Sequence, residues 1–292
     1  MLLLRSSIFR QSVFASRRHF VRSSSSTAST EPTLDISTQE LDYGSIAKVT
    51  FNRPKAKNAI SQQLLDELHE YVMRLATKDP SVEKVRAMVL TSSLPDVFCA
   101  GADLKERKTF TPAQTTQFLT KLNDTLTKIQ GLEIPTISAI QGLALGGGLE
   151  IALSTDFRVM SSTAKLGLPE TRLAILPGAG GTHRLPKLIG YSRALDMILT
   201  GRRVEAAEAL SFGLVNRVAE ESGDEAATNS AMKMAQQICE GGPIAINAAK
   251  RAVKGRSPDW ERAAYEKVVN SKDKFEALEA FAQKRKPNFA GE

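Results

Sequence analysis

The sequence predicts an α/β fold, and three observations carry that expectation. Short apolar runs of strand length recur at residues 46–51, 85–90, 135–140 and 157–160. Between them lie stretches with apolar residues at helical spacing, such as Leu64, Leu65, Leu68, Val72 and Leu75. From about Glu225 onward nearly everything reads as helix. Strand, turn and helix in repeated succession describe an α/β or mixed architecture, here followed by a helical module.

Taken in order, the strand at 46–51 ends in a polar loop, Asn52-Arg-Pro-Lys-Ala-Lys-Asn, broken by Pro54. An amphipathic helix follows over 61–76, then the strand at 85–90 and a turn of small residues in Phe98-Cys-Ala-Gly-Ala-Asp. Thr111-Pro112 starts a helix, with a capping side chain before a proline at the first helical position. Phe118, Leu122, Leu126 and Ile129 mark its buried face. The strand at 135–140 runs into Gly142-Leu-Ala-Leu-Gly-Gly-Gly-Leu-Glu150 and a helix-compatible apolar segment from Leu149 to Leu153. Further strands are expected at 157–160, 165–168 and 214–218, and a helix over 204–212 that stops at Gly213. Helices then fill 226–239, 244–254, 258–270 and 272–284.

Composition narrows the functional classes. At 292 residues, 42% hydrophobic and 24% charged, the chain has material for a sizeable core. No uninterrupted apolar run approaches the ~18 residues of a membrane-spanning helix. The formal charge of +7 is misleading, because the first 30 residues hold five arginines, many serines and no acid. That is the composition of a mitochondrial transit peptide, and without it the body carries only about +2. Two cysteines (Cys99, Cys239) and three histidines (His19, His69, His183) fall at no metal-ligand or disulfide spacing.

The chemistry concentrates in two glycine-bearing turns. Ala100-Gly-Ala-Asp103 and Gly146-Gly-Gly148 each follow an apolar strand and are suited to expose backbone N–H groups. Two N–H groups converging on one carbonyl oxygen would make an oxyanion hole; close packing is the other use of such glycines. Neither turn fits a dinucleotide fingerprint or a phosphate loop, and no Gly-x-Ser-x-Gly elbow occurs. Pro177-Gly-Ala-Gly-Gly-Thr182 is a third glycine loop, suited either to a phosphate or to a tight turn before a helix. Glu150 and Glu170 stand among apolar neighbours, where a carboxyl becomes harder to ionise and useful for moving protons. From spacing alone the commoner assignment is a helix-start glutamate for Glu150 and a solvated loop residue for Glu170.

Together these stretches resemble the enoyl-CoA hydratase/isomerase (crotonase) family. The likeness rests on Phe98-Cys-Ala-Gly-Ala-Asp-Leu-Lys, Gly142–Glu150, Leu168-Pro-Glu and Pro177-Gly-Ala-Gly-Gly-Thr, in that order, and extends from about Ser45 to the C-terminus. The resemblance implies a spiral of ββα units followed by a helical C-terminal trimerisation region. The corresponding divisions are residues 1–34 (transit peptide and linker), 35–224 (spiral core) and 225–292 (helical region). It implies an acyl-CoA thioester as substrate, a homotrimer or homohexamer, and neither metal nor cofactor, CoA being part of the substrate. The oxyanion hole would be the N–H groups of Ala102 and Gly147, and the acid/base pair Glu150 and Glu170. Ala100, Gly101, Asp103, Leu104, Lys105 and Gly146 would complete the substrate-binding surface, with Lys105 toward the CoA. Lys284 or Lys286 would assist from a neighbouring subunit. A substrate with a distal carboxylate would need a cation to avoid an unpaired buried charge, and Arg107, Lys108 and Arg172 are the candidates. An RNA-binding member of the family uses a lysine-rich helix after its Arg-Pro loop. Here the helix over 61–76 holds Asp66, Glu67 and Glu70 and no lysine, which argues against RNA, since phosphate contacts need clustered Lys or Arg.

Overall fold

The computed structural model describes residues 31–292; residues 1–30, the predicted transit segment, lie outside them. The chain runs through β1 (Leu34–Glu40), β2 (Ser45–Phe51), α1 (Gln62–Thr77), β3 (Val85–Ser92) and β4 (Val97–Cys99). Next come α2 (Leu104–Arg107), α3 (Pro112–Gly131), β5 (Thr136–Ile140), β6 (Leu143–Leu145) and α4 (Gly147–Ser154). β7 (Phe157–Met160) and β8 (Lys165–Gly167) lead to a 3-10 turn at Glu170–Leu173, then α5 (Gly181–Ile189) and α6 (Tyr191–Thr200). β9 (Arg203–Glu205), α7 (Ala206–Ser211) and β10 (Arg217–Val218) complete the two sheets. The helices α8 (Ala226–Cys239), α9 (Pro243–Gly255), α10 (Pro258–Val269) and α11 (Lys272–Ala282) end the chain.

The strands form a six-stranded sheet of order β1-β2-β3-β5-β7-β10 and a four-stranded sheet of order β4-β6-β8-β9. Successive pairs β3/β4, β5/β6 and β7/β8 each give one strand to each sheet and are followed by helix, so the chain climbs as a spiral of ββα turns. Within the sheets only β1 and β9 pair antiparallel. The parallel strands are covered on both faces, which explains their near-continuous apolar runs. On β3, Met88 and Leu90 face the core between the sheets and helices, while Ala87 and Val89 face α8. α8 thus packs on the large sheet through Ala227, Ala231, Met234 and Ala235, and α9–α11 form the helical region beyond it.

Local signals place the helices. Ser61 caps α1 by accepting from the Leu64 N–H, and Leu64, Leu65, Leu68 and Val72 form its buried stripe. Thr111 and Gln114 make a reciprocal capping box at the start of α3, with Pro112 next. Three strands depart from expectation. β1 is an edge strand of largely polar sequence, β6 lies inside the glycine stretch, and β9 occupies the start of what the spacing predicts as helix 204–212. Each is short or polar and owes its existence to a partner strand far away in sequence.

Candidate active site

The site forms where β4 and β6 end side by side. Ile60 makes an isolated parallel bridge with Ala102. The Ile60 N–H donates to the Gly101 carbonyl (2.8 Å) and the Asp103 N–H donates to the Ile60 carbonyl (3.2 Å). Because the bridge uses the groups on either side of Ala102, the Ala102 N–H points the other way, toward α4. A Cβ built on Gly147 would lie 3.9 Å from the Ala102 nitrogen, and one on Gly101 3.6 Å from the Gly147 nitrogen. Among the described residues neither the Ala102 nor the Gly147 N–H donates to a backbone carbonyl. Two donors meeting at the start of a helix form the geometry that stabilises an oxyanion.

The glycines are required by that approach. Gly101 has φ +97°, and a side chain there would strike the Leu145 carbonyl at 2.8 Å. Gly146 turns β6 into α4 at φ 52°, ψ −126°, and a Cβ on it would sit 3.0 Å from Oε1 of Glu170. Glu170 therefore lies directly over the backbone that leads into the Gly147 N–H.

Glu150, one turn into α4, is only 2% exposed. Its Oε1 accepts N–H groups from both Ala179 and Gly181, each at 2.8 Å. The glycine loop after Pro177 thus cradles an anion, and that anion is the protein's own Glu150. Burial pushes the Glu150 carboxyl up from its ordinary value, while the Gly181 and Ala179 N–H groups and the charge of Arg184 pull it back. Glu170 is treated differently. It is 8% exposed, not a solvated loop residue, and its Oε2 is buried with no hydrogen-bond partner. Burial first, and the nearby Glu150 charge in addition, push its carboxyl up to about 7. One carboxyl is solvated by fixed N–H dipoles and the other is not, so the two differ in how readily they ionise, and near neutral pH Glu170 is divided between its protonated and ionised forms.

The remaining predicted residues separate. Gly101 and Gly146 adjoin the two N–H donors, and Ala100, Leu104 and Lys105 are exposed. Asp103 faces away from the donors: its carboxylate takes the Arg53 guanidinium (2.6 Å) and caps α2 through the N–H groups of Lys105 and Glu106. Arg172 donates through Nε and Nη2 to the Thr200 carbonyl, and Lys108 is exposed at the end of α2. Lys286 pairs with Asp42 at 2.8 Å. Cys99 is fully buried, its thiol pushed up to about 12 by that burial, so it takes no part. Spacing did not single out Arg184. It is buried, donates through Nη1 to the Ala179 carbonyl (2.8 Å) and through Nε to Oε1 of Gln130 (3.2 Å), and so holds the loop that holds Glu150. The signal for it was a lone arginine four residues beyond a glycine in Gly180-Gly-Thr-His-Arg184.

Comparison with known proteins agrees with this geometry. The sequence model of one family, described as enoyl-CoA hydratase/isomerase, matches residues 42–292. An enoyl-CoA isomerase/hydratase of Zymoseptoria tritici is 53% identical, over 85% of this chain and 84% of that protein. Mitochondrial methylglutaconyl-CoA hydratases of Pyricularia oryzae and Mus musculus are 48% and 41% identical, covering 85% and 93% of this chain and 83% and 88% of theirs. The crystal structure of an enoyl-CoA hydratase from Bacillus anthracis superposes with a TM-score of 0.81 at 39% identity, over 88% of this chain and 99% of that one. With the ββα spiral and the paired glycine turns, these likenesses establish that the chain belongs to the enoyl-CoA hydratase/isomerase (crotonase) family of enzymes.

Proposed function

We propose that the chain hydrates an enoyl-CoA thioester, and that its substrate is 3-methylglutaconyl-CoA, converted to 3-hydroxy-3-methylglutaryl-CoA in leucine degradation. The observation that carries the reaction type is the unlike pair of buried carboxyls beside two converging N–H groups. In this reading the thioester oxygen is bound by the Ala102 and Gly147 N–H groups. They stabilise the enolate-like charge that develops when water adds at the β carbon. Glu150, acting as the base, takes a proton from that water as its oxygen bonds to the β carbon. Glu170, protonated, gives its proton to the α carbon. The proton gained by one carboxyl balances the proton lost by the other, and dehydration runs the same steps backwards. An isomerase needs only to move a proton along the substrate, so retention of both glutamates supports hydration.

The substrate is supported by the methylglutaconyl-CoA hydratases among the relatives. A general short-chain enoyl-CoA hydratase is the second reading, supported by a probable enoyl-CoA hydratase of Arabidopsis thaliana at 44% identity. In either case the reaction requires no metal or further cofactor. We place the enzyme in the mitochondrial matrix, on the arginine-rich N-terminus and the word mitochondrial in several relatives' names. We propose a homotrimer or homohexamer built through α9–α11. RNA binding has no support from α1, where Asp66 and Glu70 take Lys121 and Arg74 as their partners. The deciding measurement is kcat/KM for 3-methylglutaconyl-CoA against crotonyl-CoA. A preference for the first is expected, and a strong preference for crotonyl-CoA would transfer the assignment to the second reading.

A further inference from the structure

Among the described residues two buried side-chain polar atoms have no hydrogen-bond partner: Oε2 of Glu170 and Nε of Arg107. Buried polar groups in folded proteins are nearly always partnered, so each exception asks for an explanation. The proposed proton transfer explains Glu170. Arg107 has no part in that chemistry.

Arg53, Arg172 and Arg184 direct their guanidinium groups at carboxylate or carbonyl oxygens. Arg107 is held by stacking instead, its guanidinium carbon 3.6 Å from the centre of the Phe118 ring and 5.5 Å from that of Phe110. Burial makes its charge costly, and the one neighbouring acid, Glu106, is already engaged in capping α1 through the Gln62 N–H. A partly buried cation held over an aromatic ring keeps N–H groups available for an anion.

Its position points to which anion. Arg107 lies one helical turn, ~6 Å, beyond Asp103, which is the neighbour of the Ala102 donor. Phe118 precedes Leu119, whose Cδ2 would be 3.3 Å from a Cβ on Gly178. Asn123, one turn further along α3, donates to the Gly178 carbonyl at 2.7 Å. Gly178 in turn adjoins Ala179, whose N–H holds Glu150. Arg107 thus links the short helix that follows the Ala102 donor to α3, the helix that also contacts the loop holding Glu150. Of the three cations that the sequence offers for a distal carboxylate, Arg172 is engaged by the Thr200 carbonyl and Lys108 is exposed at the end of α2, whereas Arg107 has a buried, unpartnered Nε.

We propose that Arg107 is the specificity-determining residue that pairs with a carboxylate at the far end of the acyl chain, selecting dicarboxylic enoyl-CoA substrates over monocarboxylic ones. This rests on the enoyl-CoA hydratase reading above. A planar guanidinium fixed by stacking forms a two-point pair with a carboxylate at little further cost in side-chain entropy.

The test compares two substrates that differ only in that carboxylate, 3-methylglutaconyl-CoA and 3-methylcrotonyl-CoA, in the parent, Arg107→Met and Arg107→Lys. The parent is expected to prefer the dicarboxylic compound. In Arg107→Met the ratio of the two kcat/KM values is expected to fall about 100-fold or more, mainly through KM, as when one partner of a buried charge pair is removed. Arg107→Lys should give an intermediate ratio. An unchanged ratio overturns the proposal, whether both rates fall together, as a structural role would have it, or neither falls. If Arg107→Met is inactive on both, Arg107→Gln, which keeps a polar head without the charge, is read by the same ratio. A parent that hydrates only 3-methylcrotonyl-CoA overturns the assignment to Arg107 while leaving hydration intact. A parent that hydrates neither overturns the reaction itself.

Discussion

In the proposed reaction Glu150 and Glu170, chemically the same side chain, take opposite tasks because of what surrounds them. Replacing either by glutamine keeps the volume and removes the transferable proton. Each single variant is expected to lower kcat by about 100- to 10,000-fold, the usual worth of a general acid or base, with CoA affinity by calorimetry little changed. Near-parent turnover in both would remove them from the mechanism. The Glu170 carboxyl, raised to about 7, is protonated below that pH and ionised above it. The hydration rate should therefore fall as pH rises through about 7, and the reverse reaction, which needs Glu170 ionised, should gain. The same shift bears on stability. A carboxyl raised in the folded state binds its proton more tightly there than in the unfolded chain, so stability is lost as pH climbs from the ordinary carboxylate value toward 7. A displacement from 4.5 to about 7 corresponds to on the order of 3 kcal/mol. Glu170→Gln should therefore gain on the parent by up to that amount between pH 5 and pH 8, read from denaturant midpoints. A difference that stays constant with pH would show that Glu170 is not strained by its burial.

The loop before α5 shows how an element can be recognised in sequence while its purpose is not. Pro177-Gly-Ala-Gly-Gly-Thr182 was legible as a glycine turn leading into a helix, since glycine without a Cβ is the mark of such a turn. That its N–H groups serve Glu150 was not legible, because the contact joins residues about thirty positions apart. The same holds for Glu170, which spacing marks as solvated and tertiary packing buries. Caps and periodicity are local and gave α1 nearly to the residue, and the start and buried face of α3. Strands β1, β6 and β9 needed partners that no local pattern names. Arg184 ties the loop to α3, and Gly180 at φ +103° is what admits it, since a Cβ there would lie 1.9 Å from Nη1. Arg184→Met should release the loop and remove a charge that holds the Glu150 carboxyl down. In the proposed reaction Glu150 acts ionised, so the acidic limb of the pH–rate profile should move to higher pH as kcat falls. A lower kcat with an unmoved acidic limb would mean that Arg184 serves folding alone.

Over the whole chain, the apolar surface is distributed unevenly. The spiral and α8 bury two large apolar clusters but leave Leu173, Ile175 and Leu176 exposed, and α11 carries Phe275, Leu278 and Phe281 at three-residue spacing, 57%, 59% and 84% exposed. Residues three apart share a helix face, so these side chains form one stripe. Monomeric proteins rarely leave such a stripe in water, and covering each of the three would stabilise an assembly by about 1.5–3 kcal/mol. The tail beyond α11 folds back along it: Arg285 pairs with Glu276, and the N–H groups of Ala290 and Gly291 donate to Asp273 near the start of the helix. The tail leaves the stripe uncovered, with Phe281 the most exposed of the three, so a second copy can reach it. Light scattering should give a mass that is a multiple of three protomers, and Leu278→Glu/Phe281→Glu should reduce it to that of one. Charge on a stripe already facing water costs the isolated fold little, so the variant should keep the parent's circular dichroism. A parent that is monomeric at micromolar concentration, or a double variant that keeps the parent's mass, would remove α11 from any role in assembly.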